Sequence, residues 1–227
     1  MSIKIIAFDA DDTLWHNEHY FQEAENKFCA LLEDFLPQHT LQRELLHTEI
    51  NNITLYGYGI KGFMLSMIET AFRVTDKNIK VEAIEKIIAI GQELLNKPVE
   101  LIDDVRDVLK SLKSKYKLVM ATKGDLLDQE RKLKKSGLAE FFHHIEIMSE
   151  KKESDFEKLI KHLDIQSGEL MMIGNSLKSD ILPILNIGGH RVHIPYHITW
   201  AHEKVEAIVD HPNFRQVQKV KEILDFL

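Results

Sequence analysis

Lys4-Ile5-Ile6-Ala7-Phe8-Asp9-Ala10-Asp11-Asp12-Thr13-Leu14-Trp15 is the stretch on which the fold turns. Residues 5–8 form an apolar run of the length of a buried strand, and it stops at three carboxylates within four positions. Unpaired charges cost too much to desolvate for these acids to continue a buried strand. The chain is therefore predicted to emerge at the strand's carboxyl end, where open α/β sheets bind ligands. Asp9 and Asp11 lie two residues apart in near-extended chain and can lean to the same side. Taken alone, the stretch also fits an acidic surface turn after an edge strand, so its surroundings decide.

The 227 residues are 44% hydrophobic and 29% charged, the balance of a soluble globular protein with a sizeable core. A formal net charge of −7 offers no basic field for nucleic acid or an anionic membrane. The single Cys29 leaves no internal disulfide framework and fits a reducing, cytoplasmic setting. The few apolar residues before Asp9 are too short for a signal peptide, and no run reaches membrane-spanning length. The 12 histidines match no closed tetrahedral zinc pattern.

Beyond Trp15 the period changes from strand to helix. Apolar stripes predict helices over 17–35, 41–55 and 81–95, with another resuming at Phe63. Tyr56-Gly57-Tyr58-Gly59-Ile60-Lys61-Gly62 interrupts them and reads equally as a flexible connection or a substrate-facing segment. From Pro98 helices and strands alternate, the mark of a parallel sheet. Strands are predicted at 117–121, 145–148, 170–173 and 191–194, with an edge strand and a last helix in the tail. A helix over 103–113 has Asp103 or Asp104 available as N-cap, and the basic run 131–135 reads as a solvated helix face. The expected fold is α/β, a Rossmann-like parallel sheet core over 1–15 and 97–227 with an α-helical cap domain inserted over 16–96.

Three further strand ends carry polar residues suited to phosphate. Thr122 offers a hydroxyl, Lys151 and Lys152 compact positive charge, and Asn175 and Asp180 oxygen ligands for a hard cation around Gly174. In a parallel sheet such ends line one edge and can converge.

Through Phe8-Asp9-Ala10-Asp11-Asp12-Thr13-Leu14, Thr122, the lysine pair, and Gly174-Asn175-Ser176 with Asp180, nearly the whole chain resembles the haloacid dehalogenase superfamily, mostly phosphohydrolases. Two departures stand out: the fourth motif usually begins with aspartate where this chain has Asn175, and no proline follows the lysines. Lys152 is the preferred phosphate-binding lysine and Lys151 the alternative. The resemblance implies that Asp9 is a nucleophile, ionised at an ordinary pKa near ~3.9, that forms an aspartyl-phosphate. It implies that Asp11 is general acid and then base. It implies Mg²⁺ on Asp9, the Asp11 carbonyl, Asn175 and Asp180, with Thr122, Lys123 and the lysine pair gripping phosphate oxygens. With an amide at 175 in place of a carboxylate, Mg²⁺ is expected to bind more weakly. The implied function is Mg²⁺-dependent hydrolysis of a small phosphorylated metabolite by a cytoplasmic monomer or homodimer, its cap closing to exclude water. A phosphomutase would keep all four motifs. A 2-haloacid dehalogenase has no need of Asp11, and a non-catalytic binding protein is favoured only by Asn175.

Overall fold

β1 (Ile5–Phe8) lies inside a six-stranded, all-parallel sheet. Its companions are β2 (Lys117–Lys123), β3 (His144–Met148), β4 (Leu170–Gly174), β5 (His190–His193) and β6 (Phe214–Gln216), in the order β3-β2-β1-β4-β5-β6. The computed structural model describes residues 2–206 and 209–227. It contains two compact units.

One unit comprises the chain up to Asn17, Val99–Lys123, and everything from Gln129. Here the alternation of side chains along the strands builds two cores. Ile6, Phe8, Leu118, Met120, Met171 and Ile173 share one cluster with Val105, Val108, Leu109 and Leu112 of α5 (Val105–Lys113). On the other face Ile5, Ala7, Val119, Ala121 and Met172 pack with Phe156, Leu159 and Ile160 of α7 (Glu153–His162) and Ile184 of α8 (Leu182–Asn186). Strands covered on both faces read as unbroken apolar runs, and this one-after-another burial is why 5–8 looked so plainly like a strand.

The other unit comprises Glu18–Pro98 and Gly124–Asp128. Its helices are α1 (Glu18–Leu31), α2 (Gln38–Tyr56), α3 (Ile60–Val74) and α4 (Val81–Asn96), closed around Phe28, Leu32, Leu41, Leu45, Met67 and Ile87. The Tyr56–Gly62 interruption is a tight α2–α3 connection in which Gly59 has φ +108° and a Cβ there would sit 3.2 Å from the Asp125 amide. Lys61 pairs with Asp125 at 2.8 Å, and Tyr56 donates to Glu69 at 2.7 Å.

Several boundaries differ from expectation. α1 stops at Leu31, short of 35. β2 runs through Thr122 and Lys123, because both still pair with β3 opposite Ile147 and Met148. Asp104 occupies the N-cap of α5 in the left-handed region and makes no side-chain cap. The last helix is a 3₁₀ segment, Val220–Asp225. α6 (Leu126–Ser136) ends before Gly137, whose φ is +66°.

Candidate active site

The site forms where β1, β2 and β4 end. The Asp9 amide continues the ladder by donating to the Ile173 carbonyl at 2.9 Å, which sets Asp9 beside the chain leaving β4. Gly174 at that exit is a steric requirement. A Cβ there would lie 2.2 Å from an Asp180 carboxylate oxygen, so only glycine lets Asp180 fold back over the strand end.

Lys151, buried to 1% side-chain exposure, joins the two acids. Its ammonium donates to Asp9 Oδ1 and, at 2.7 Å, to Asp180 Oδ1. The second Asp180 oxygen accepts the Ser176 amide at 3.0 Å. The Thr13 hydroxyl lies 3.2 Å from Asp9 Oδ2 and 3.3 Å from Asn175 Oδ1, so two oxygens share one donor. The Asn175 carbonyl is held by His193 Nε2 at 3.0 Å.

Burial pushes the Asp9 carboxyl up to about 7, with Lys151 pulling it down and Asp180 pushing it further up. Burial thus opposes the charge that the ordinary value would give Asp9, and the Lys151 ammonium beside it favours that charge. Burial also opposes the charge on Lys151, but Asp180 and Asp9 outweigh it and raise its pKa.

The preference for Lys152 is corrected too. Lys152 is exposed at the start of α7, where its amide lies 3.3 Å from Asp155 Oδ2, while Lys151 alone of the pair enters the acidic corner. Lys151 precedes α7 and points inward as Lys152 turns out, a register that the sequence left open. Thr122 is buried at the end of β2, its hydroxyl 3.5 Å from the Lys123 carbonyl. The Lys123 ammonium is engaged by Glu203 Oε1 at 2.6 Å and Ser179 Oγ at 2.9 Å.

The three acids of the first turn part company. The Asp11 carboxylate accepts Trp15 Nε1 at 2.7 Å, Lys132 Nζ at 2.6 Å and Gln129 Nε2 at 2.8 Å. Asp12, at φ +61°, accepts the Asn17 amide at 2.8 Å and so fixes the chain's exit. Lys132 corrects the reading of 131–135 as wholly solvated, since its side chain is only 15% exposed. Participants that went unassigned in the sequence include Thr13, Gln129, Lys132 and Glu203. Thr13 lies inside the first motif and was open to notice. The others are distant in the chain, and no spacing marks them.

Among the described residues no three His, Cys, Asp or Glu side chains gather as a metal cage. The donors that do converge are all oxygen: Asp9, the Asn175 amide and Asp180. A hard cation that binds through one or two carboxylates and keeps its waters fits that set, whereas zinc or copper would want nitrogen or sulfur.

Comparison with known proteins agrees with this architecture. A family model for haloacid dehalogenase-like hydrolases matches residues 3–188. A haloacid dehalogenase-like hydrolase from Xanthomonas campestris is 38% identical, with a TM-score of 0.88 over 97% of this chain and 88% of that one. A HAD-hydrolase from Bacillus subtilis, solved bound to magnesium, shares the fold at 18% identity and TM-score 0.67, covering 100% of this chain and 99% of its own. N-acylneuraminate-9-phosphatase from Mus musculus is 33% identical over 93 residues, 39% of this chain. The match spans only 38% of that relative's length.

Proposed function

The chain belongs to the haloacid dehalogenase-like hydrolase family, and on that premise we propose that it is a Mg²⁺-dependent phosphatase acting on a small phosphomonoester. The observation that carries the reading is the corner in which Lys151 bridges Asp9 and Asp180 beside Asn175, at the carboxyl ends of adjacent parallel strands.

In this reading an Asp9 oxygen attacks phosphorus while Asp11 gives a proton to the departing alkoxide, leaving an aspartyl-phosphate. Asp11, now ionised, takes a proton from the water that attacks that phosphorus, and Asp9 is released. Asp11 starts with three donors around it, so the leaving oxygen has to take the place of at least one. Lys151 takes the role first given to Lys152, because of the two lysines it is the one that touches Asp9, and the Thr122 hydroxyl is the second candidate for the transferring oxygens. The Lys123 charge is committed to Glu203 and is left out of the grip. Mg²⁺ would be held by Asp9, the Asp11 carbonyl, Asn175 and Asp180, and would supply positive charge against the phosphoryl group. With an amide rather than a carboxylate at 175, Asn175→Asp should bind Mg²⁺ more tightly.

The relative named N-acylneuraminate-9-phosphatase makes acidic sugar phosphates a natural first panel. The test is release of inorganic phosphate from sugar phosphates, nucleotides, phospho-acids and an aryl phosphate, with and without Mg²⁺. Mg²⁺-dependent release that a chelator stops supports the reading. Absence of release across the panel, or phosphate that moves within a sugar without being freed, refutes it.

A further inference from the structure

Glu203 lies far along the chain from every motif residue, in the 3₁₀ turn Ala201–Glu203 that follows β5. It is nevertheless bound to the loop after β4 and to the end of β2. Its Oε2 accepts both the Ser176 and the Ser179 hydroxyls at 2.6 Å, and its Oε1 accepts the Lys123 ammonium at 2.6 Å. Lys123 also donates to Ser179 Oγ at 2.9 Å, and the Ser176 hydroxyl oxygen accepts the Ser179 amide at 3.0 Å. The side chains of Glu203 and Lys123 are only 11% and 17% exposed. A closed ring of charge and hydroxyls therefore grips the outer side of the loop.

The loop's inner side carries Asn175 and Asp180, each the immediate neighbour of a residue that Glu203 holds. Leu177–Ile181 is wound as a wide π-turn, which has no regular ladder of its own to hold this shape against competing turns. Lys178 adds a tie between the same two segments by donating to the His202 carbonyl at 2.8 Å. Thr122 immediately precedes Lys123, so the same carboxylate also anchors the end of β2.

We propose that Glu203 is a positioning residue: by fixing Ser176, Ser179 and Lys123 from outside, it presets the oxygens of Asn175 and Asp180 for the cation and the Thr122 hydroxyl for phosphate. The inference rests on the phosphatase reading of the site and adds to it a residue that no motif contains. Outer partners of this kind commonly change metal affinity by about 10-fold or more when removed.

The experiment titrates Mg²⁺ calorimetrically into the full-length wild type, Glu203→Gln and Glu203→Ala without substrate. Kinetics on an aryl phosphate at saturating Mg²⁺ follow, with folding checked by circular dichroism. Glu203→Gln is close in shape but turns an amide nitrogen towards Lys123 or the serines. It is expected to weaken Mg²⁺ binding about 10-fold, with Glu203→Ala weaker still and kcat partly restored by excess Mg²⁺. Should Glu203→Ala fail to fold, Glu203→Gln decides alone. A folded variant that binds Mg²⁺ as tightly as the wild type, or that loses only thermal stability, overturns the proposal. If the wild type itself neither binds Mg²⁺ nor hydrolyses a phosphomonoester, the functional reading falls and this inference falls with it. If the wild type does both and the variants match it, only the role of Glu203 is lost.

Discussion

Asp9 and Asp11 are separated by a single alanine, yet their carboxylates occupy opposite kinds of surroundings. Asp9 sits in a dry corner with one ammonium, one shared hydroxyl and a second acid across Lys151. Asp11, with a side chain 24% exposed, is turned to three donors on Trp15, Gln129 and Lys132. Two like acids thus take two environments from one short motif.

The comparison breaks most visibly at Asp9. Asp9→Asn should lower phosphate release by at least about 10⁴-fold, because it removes the proposed nucleophile. Steady-state kinetics on the best substrate of the panel would show it, and turnover that survives would place the chemistry elsewhere. Lys151→Met comes next. It leaves two buried carboxylates without their cation, and the fold should lose about 3–5 kcal/mol, read by urea unfolding. Phosphate release should fall by about 10²–10³-fold in the same variant.

Asp11→Asn sharpens the contrast through the leaving group. In kcat/KM, which reports formation of the aspartyl-phosphate and not its hydrolysis, an alkyl phosphate needs a proton on its departing oxygen and should slow by about 10²–10³-fold, while an aryl phosphate with a good leaving group should slow far less. Equal losses on both would deny Asp11 its role as acid.

Glu203 extends the comparison to a third carboxylate with its own lysine. Burial alone would raise its pKa, but Lys123 and the two serine hydroxyls outweigh burial and hold it at about 2, below the ordinary 4.5. A carboxyl lowered on folding stabilises the fold above its ordinary value and loses that contribution as pH falls through its folded value. Glu203 should therefore contribute roughly 3 kcal/mol at neutral pH, declining between about pH 5 and 2. Unfolding of wild type and Glu203→Gln at a series of pH values measures it: the gap should narrow steadily with acid. Smallest of all, Lys152→Ala should change stability by no more than about 0.5 kcal/mol and leave catalysis near wild type. A large loss there would restore Lys152 to the site.

Most of the architecture was legible in the residues because local chemistry and global burial agree. The run 5–8 is apolar at every position since helices cover both faces of its sheet, and the stripes of α2 and α4 repeat at helical period since one side packs inward. Asp9, Asn175 and Asp180 could be expected to meet because parallel strands deliver their ends to one edge, a consequence of topology that spacing can convey.

What the amino-acid order could determine by itself was the succession of strands and helices and the acids that terminate the first of them, since each follows from periodicity and the cost of burying charge. Only the folded chain decided which lysine turns inward, where the Asp11 carboxylate points, and that Glu203 grips a loop so remote from it in sequence. Those outcomes depend on the course of the backbone into α7 and on side chains meeting across long stretches of chain. No local pattern encodes such meetings, because the partners have no fixed separation in sequence and find each other only when the sheet has closed.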